Sequence, residues 1–308
     1  MRLIVTGANG FIGRALVEAL LATEEHEVVA VDTVAPSSPE LDGARWVCAD
    51  ICDPDVISSL LDEPCDALVH LATLPGGAAE ENQELARQVN IDATLDLLEA
   101  VRSPDLVPRV VVSSSIAVYG EFAGRVIDDN TPPAPRMIYG AQKLMAENWI
   151  AALARRGEIK GLSLRIPGVV ARPQAPSGMK SAFMSNVFHA ASNTEIFESP
   201  VSATANMWLT SRKCVVENLM HALTLGTDEL PPSLAVTLPG LRVTMQDLAR
   251  TIAQHANCPD DFIRYTPDAG LEAAFGNLPD HQLRCAARMG FRDDGDLDRL
   301  VASAFSTL

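Results

Sequence analysis

The sequence has no apolar run approaching the ~18 residues a membrane-spanning helix needs. Its opening stretch, MRLIVTGANGFIG, carries one positive charge and reaches glycines at once, with no apolar core of a secretory leader. It has no CxxC, and none of the six cysteines at 48, 52, 65, 214, 258 and 285 stands near a histidine at zinc spacing. Reduced thiols, mostly buried, and no metal are therefore expected. Basic residues are few: 24 Lys and Arg face 40 Asp and Glu, for a net charge of −16. That balance argues against a nucleic-acid or anionic-membrane partner. Internal repeats and low-complexity tracts are absent. These absences leave a cytoplasmic enzyme or binding protein acting on a small molecule.

What is present is a globular composition, 47% hydrophobic and 21% charged over 308 residues. The length allows one large domain or two modest ones. Buried-strand runs alternate with helical stretches through the first half. RLIVTG, EVVAVD, ARWVCAD, DALVHLA, RVVVSSS and GLSLRIP read as strands. Helical spacing fills FIGRALVEALLATE, PDVISSLLDE, a long stretch over 81–103, and the segment after Tyr139. Strands alternating with helices predict βαβ units and a parallel, doubly wound α/β sheet. The pattern loosens after Arg172: RPQAPSGMKS reads as a loop, 181–192 as a helix, and Thr244 as the N-cap of another. The expected division is a nucleotide-binding domain over 1–170 with a return at about 207–238, and a smaller substrate lobe from 171–206 and 239–308.

Residues 6–13, TGANGFIG, follow the first strand and open a helix. Gly7 permits a tight turn, Gly10 lets backbone approach a pyrophosphate, and Gly13 lets helix and strand pack closely. The helix N-terminus favours the phosphates. Asp32, nineteen residues past Gly13, ends the second strand. Its carboxylate can accept from a ribose diol and would repel a 2′-phosphate, so NAD is expected over NADP. Asp50 closes the third strand. It reads equally as a contact to an adenine edge, with Ile51 on the ring, or as a loop Asp bonding its own backbone.

Tyr139 and Lys143 stand one helical turn apart, with Ser115 twenty-four residues upstream of Tyr139. A phenol titrates near ~10, so use as a base at neutral pH requires about 4 kcal/mol of preference for the phenolate. A neighbouring ammonium supplies part of that preference.

With TGxxGxxG, these residues resemble the extended short-chain dehydrogenase/reductase family of nucleotide-sugar epimerases and dehydratases. SSSIAVYG (113–120), YGAQK (139–143) and LRIPGVVARP (164–173) are further matches, and the likeness covers nearly the whole chain. The resemblance implies a Rossmann sheet with a smaller C-terminal substrate lobe, and a catalytic triad of Ser115, Tyr139 and Lys143. It implies cofactor contacts from Gly7, Gly10, Phe11, Ile12, Gly13, Asp32, Asp50, Ile51, Leu71, Ala72, Thr73, Asn90, Ser113, Pro167 and Val169, besides Tyr139 and Lys143. His70 reads rather as a packed strand residue. Asn90 matches a family asparagine that orders water or backbone near the lysine, or else is a surface residue. Arg165 and Arg172 either anchor an anionic substrate or pair with acids. Helices around 85–102 and 140–155 imply a homodimer.

The segment after the last Rossmann strand lacks the family's usual YGP. Its RP loop, Ser/Phe-rich helix, Trp and S-R before a helix with HAL look like a branch that oxidises small sugar acids such as D-erythronate at the 2-hydroxyl. Asn206 before Met207–Trp208 and Arg212 after Ser211 depart from that branch's pattern. Candidate substrate contacts are Thr73, Ser115, Tyr139, Arg172, Phe183 and Trp208, with Ser181 and Asn186 nearby; Phe183 and Trp208 read equally as core packing. The alternative is a nucleotide-sugar epimerase or dehydratase that keeps NAD tightly bound.

Overall fold

The computed structural model describes residues 1–36, 41–120, 126–174 and 180–308. The chain divides into two compact units: Met1–Gly120, Pro135–Arg165 and Val216–Val236 in the first; Glu121–Ala134, Ile166–Val215 and Thr237–Leu308 in the second.

The first unit is built on a seven-stranded sheet. The sheet and the helices about it, in chain order, are β1 (Arg2–Thr6), α1 (Phe11–Leu21), β2 (Glu27–Asp32), β3 (Arg45–Cys48), α2 (Pro54–Leu60), β4 (Ala67–His70), α3 (Gly76–Glu81), α4 (Gln83–Arg87), α5 (Ala93–Ala100), β5 (Arg109–Ser115), α6 (Ile138–Arg155), β6 (Lys160–Ile166), α7 (Arg212–Thr224, whose first turn belongs to the second unit) and β7 (Ala235–Thr237). The strand order is β7-β6-β5-β4-β1-β2-β3. The pairs β3–β2, β2–β1, β1–β4 and β4–β5 are all parallel. Chain order reverses between β1 and β4, and ligands of such sheets bind at that switch point, beyond the carboxyl ends of the strands. Both faces of the central strands are covered: Leu3, Ile4, Val5, Leu68, Val69, Val110 and Val111 have no exposed surface. Continuous apolar strands of this kind suit a sheet buried on both faces.

The expected long helix over 81–103 is broken. Helix α3 ends at Glu81, Asn82 caps α4 by accepting from the Leu85 amide (3.1 Å), and a π-helical turn spans Gln88–Asp92 before α5. The wider turn has a consequence at the site.

The second unit has its own three-stranded sheet, in which Asn206–Ser211 pairs antiparallel with Leu241–Thr244 and parallel with Gly168–Val170. Helices Phe183–Ser192, Met245–Ala256 and Leu297–Phe305 carry its apolar core, where Phe188 meets Phe305 edge-on at 5.6 Å. Thr244 does cap its helix, accepting from the Asp247 amide at 3.0 Å. The compact units differ from the expected division: 166–170, 207–215 and 237–238 fall in the second unit, where 168–170 pairs with 206–211, and 126–134 falls there too, where Ile127–Asp128 pairs with His281–Gln282. Part of the expected loop, 175–179, lies outside the described residues.

Candidate active site

The glycine turn joins β1 to α1. Gly7 has φ +67, where a side chain is strained. A Cβ on it would lie 2.6 Å from the Ala72 nitrogen and 2.8 Å from the Leu71 carbonyl carbon. The backbone leaving β4 thus presses directly on this turn. A Cβ on Gly13 would collide with the Gly7 carbonyl oxygen and sit 2.8 Å from the Ala8 Cα. Gly10 is the exposed N-cap of α1, and no side chain caps the helix, whose first turn holds Phe11, Ile12 and Gly13. That leaves the positive end of the dipole for an anion.

Asp32 stands beside the turn. One carboxylate oxygen accepts from the Asn9 amide at 2.9 Å, and the Asn9 side chain donates to the Val34 carbonyl at 3.0 Å. The carboxylate is thereby fixed next to the turn with lone pairs to spare for a ribose diol. A cradle that tolerates no Cβ, an uncapped helix and this placed acid together fit a dinucleotide with an unphosphorylated ribose. Asp50 behaves as the loop reading expects: it accepts from the Cys52 amide at 2.9 Å. Ile51 is buried in the core cluster with Ile57 and Leu97.

The segment after β4 is tied down by Asn90. Seated in the π-helical turn and 4% exposed, Asn90 is no surface residue. Its carbonyl oxygen accepts from the Leu74 amide (2.7 Å) and the Thr73 hydroxyl (2.9 Å). Its amide donates to the Leu74 carbonyl (3.0 Å) and to Gln142 on α6 (2.7 Å). One side chain joins the β4 loop to the helix of Tyr139 and Lys143. His70 is packed, as expected, and shares hydrogen bonds with Thr6 (2.7 Å) and Thr94 (2.9 Å). Burial, and then the nearby Lys143 charge, push its pKa down to about 3, so it is neutral. The Ser113 hydroxyl donates to the His70 carbonyl at 3.2 Å.

Tyr139 lies in the first turn of α6, and the Lys143 ammonium is 5.6 Å from its ring centroid. Lys143 is 5% exposed. Burial draws its pKa down to about 8, against which the Glu147 charge works upward. Ser115 ends β5 and accepts from the Ala117 amide at 3.2 Å, capping the short turn Ile116–Tyr119. Gly140 brings these elements together: a Cβ there would collide with the Ala117 carbonyl oxygen and sit 2.9 Å from its carbon. The start of α6 therefore lies against the turn Ser115 caps. Gly76 of α3 faces the Tyr139 ring, where a Cβ would approach Cδ1 to 3.7 Å, and Glu80 accepts from the Tyr139 amide at 3.3 Å. Behind Lys143, Glu147 takes both Arg165 Nε (2.9 Å) and Nη2 (2.7 Å), and the Ser114 hydroxyl donates to it. Arg165 Nη1 donates to the Tyr119 hydroxyl at 3.0 Å. Arg165 is thus spent on the protein's own acid. Burial opposes its charge, but the Glu147 bonds outweigh burial and push its pKa up.

Sequence reasoning passed over Gly76, Glu80, Gln142 and Glu147. Gly140 carried a readable signal, since a glycine inside a helical pattern marks a close backbone approach.

The remaining candidates lie in the second unit. Val169 is buried in its sheet, and Pro167 packs where a Cβ on Gly240 would be 3.0 Å from its ring. The Arg172 carbonyl accepts from His189 at 2.6 Å. Phe183 packs edge-on to Phe275 at 6.3 Å. Trp208 is 1% exposed, donates its indole N–H to the Pro279 carbonyl at 2.7 Å and meets His281 edge-on. For Phe183 and Trp208 these contacts are those of core packing. Asn186, on the helix Phe183–Ser192, and Ser181, in the short turn before it, are half-buried.

A family model described as the NAD dependent epimerase/dehydratase family matches residues 3–205. D-erythronate dehydrogenase of Cupriavidus necator is 31% identical over 98% of this chain and 97% of that protein. The Haemophilus influenzae protein of the same name is 29% identical over 98% of each. Among solved structures, the nucleoside-diphosphate-sugar epimerase from Agrobacterium tumefaciens superposes with a TM-score of 0.88 over 98% of this chain and 92% of that one, at 24% identity. Among the described residues, no group of three or more His, Cys, Asp or Glu could hold a metal, and no helix is long and apolar enough to cross a membrane.

Proposed function

The chain belongs to the NAD-dependent epimerase/dehydratase family, and on that premise we propose that it oxidises a hydroxyl of a small sugar acid, resembling D-erythronate, to the keto acid. It is an NAD-dependent dehydrogenase of the short-chain dehydrogenase/reductase type. The glycine turn and Asp32 would hold NAD, which when bound would accept the hydride from the substrate carbon. Ser115 hydrogen-bonds the substrate hydroxyl, and Tyr139 takes its proton. Lys143 stabilises the phenolate form of Tyr139, the form able to take that proton. The observation that carries this reading is the buried Lys143 ammonium beside the Tyr139 ring, in a chain alike over nearly its full length to two proteins named as sugar-acid dehydrogenases. Thr73, in the loop after β4, whose hydroxyl donates to Asn90, is the further proposed substrate contact.

The test is a screen of four- to six-carbon aldonic acids with NAD and with NADP. The expected outcome is net accumulation of reduced nicotinamide with NAD. Interconversion of a nucleotide sugar without net reduction would replace this reading by the epimerase one.

A homodimer and a cytoplasmic location belong to the same proposal. Ile138, Met145 and Trp149 form one exposed apolar stripe along α6, and Leu85 on α4 is also exposed. A second copy of the chain covering the stripe would bury it. Light scattering should give twice the 33.0 kDa chain mass, and Trp149→Asp should return the monomer.

A further inference from the structure

We propose that Glu147 is a positioning residue for the catalytic pair: held by Arg165 and Ser114, it keeps the Lys143 ammonium charged beside Tyr139 and joins their helix to the strand that carries Ser115. The inference rests on the proposed Ser115–Tyr139–Lys143 chemistry.

A buried ammonium is unstable unless paired. The charged and titratable groups around Lys143 come from several elements. On its own helix, Tyr139 is one turn before it and Glu147 one turn after, on the same face. From β4 comes His70, neutral and buried. From β6 comes Arg165, whose guanidinium is directed to Glu147 and to Tyr119 in the turn after β5. From α3, Glu80 is bonded to the Tyr139 amide. Of these, Glu147 is the group that works against the loss of charge which burial imposes on Lys143. It does so from a fixed place. Both its oxygens accept from Arg165, at 2.9 and 2.7 Å, and it is 4% exposed. The Ser114 hydroxyl, adjacent to Ser115 on β5, donates to the same carboxylate. One carboxylate thus sets two relations that a proton transfer needs: the charge of the lysine, and the distance between the strand of the serine and the helix of the tyrosine.

A purely structural ion pair would leave the titration of Lys143 unmoved, so the test reads that titration. In the cofactor-free protein, Lys143 is labelled competitively with trace acetic anhydride from about pH 6 to about pH 10 and quantified by peptide mass spectrometry. Glu147→Gln should shift its midpoint down by about one pH unit, a tenfold change in the charged fraction above it. Glu147→Gln leaves the Arg165 charge buried and unpaired, which endangers folding. The double variant Glu147→Met, Arg165→Met replaces the pair with apolar side chains of similar size and should shift the midpoint in the same direction by less. An unmoved midpoint in either folded variant overturns the proposal. In turnover, the alkaline limb of kcat should move to lower pH in Glu147→Gln while the KM for NAD changes little. If the native protein oxidises no sugar acid, the functional reading fails and the labelling result still stands. If it turns over and the midpoint does not move, this inference alone fails.

Discussion

The glycine turn at 7–13 and the helix at 138–155 both bring backbones into close approach, by different means. The turn does it by omission: Gly7 and Gly13 leave no Cβ where Ala72, Ala8 and the Gly7 carbonyl stand. The helix has such omissions too, Gly140 against Ala117 and Gly161 against Ile150, and buries Ile150 and Leu153 in the core, but its catalytic end is also held by polar side chains from distant segments. Asn90 holds it through Gln142, Glu80 through the Tyr139 amide, and Arg165 and Ser114 through Glu147. Steric fit is written locally in a sequence, whereas a polar bracket depends on residues that meet only after folding.

Substitutions that separate the two devices test this contrast. The largest effect is expected from Tyr139→Phe, which removes the proposed base and leaves the brackets in place. Turnover should fall roughly 10²–10⁴-fold with NAD affinity and thermal midpoint nearly unchanged, read by steady-state kinetics and calorimetry. Gly13→Ala places a methyl group against backbone that cannot yield. It should cost roughly 3 kcal/mol in urea unfolding and abolish NAD binding in a calorimetric titration. Gly140→Ala is the sharper comparison, because its collision is with the turn that Ser115 caps. About 2 kcal/mol of stability and most of the turnover should be lost while NAD affinity is retained. Equal loss of NAD binding in both glycine variants would erase the distinction.

The smallest effect concerns His70, the buried ring between the two devices. Its folded-state pKa of about 3 lies below the ordinary value of 6.5, so the unfolded chain binds the extra proton. Stability should therefore be full above about pH 6.5 and decline as pH falls toward about 3. Urea midpoints across that window should show a shallower acid decline in His70→Gln than in the native chain.

The parts legible in the sequence follow from this difference. Gly7, Gly10, Gly13 and Asp32 lie within one βαβ unit, and their spacing carries the geometry. Tyr139 and Lys143 are one turn apart, so the helix period alone puts them together. The parallel sheet followed from the alternation of strands and helices. Asn90 was less legible because a regular 3.6-residue period was read across 81–103. The π-helical turn at Gln88–Asp92 breaks that period, and Asn90 within it is buried. The Asn82 cap that interrupts the helix was a readable signal. Arg165 shows the other limit. Its partner Glu147 lies eighteen residues earlier on a different element, and pattern alone left it open whether the arginine served substrate or fold. Trp208 shows the same: an aromatic near the lobe's start reads as a pocket wall or as core, and its indole bond to Pro279 is visible only in three dimensions.

The Asn9 amide that donates to Asp32 bears on any attempt to re-engineer this protein for phosphorylated dinucleotides. Replacing the acid by serine or glycine would do more than lift a repulsion. It would strip a backbone donor of its acceptor at the mouth of the turn, loosening the loop that Asn9 also fastens at Val34. The incoming 2′-phosphate would then be asked to restore the missing acceptor as well as to fit. A redesign that adds an arginine for the phosphate and leaves Asn9 in place gives the new anion both partners at once.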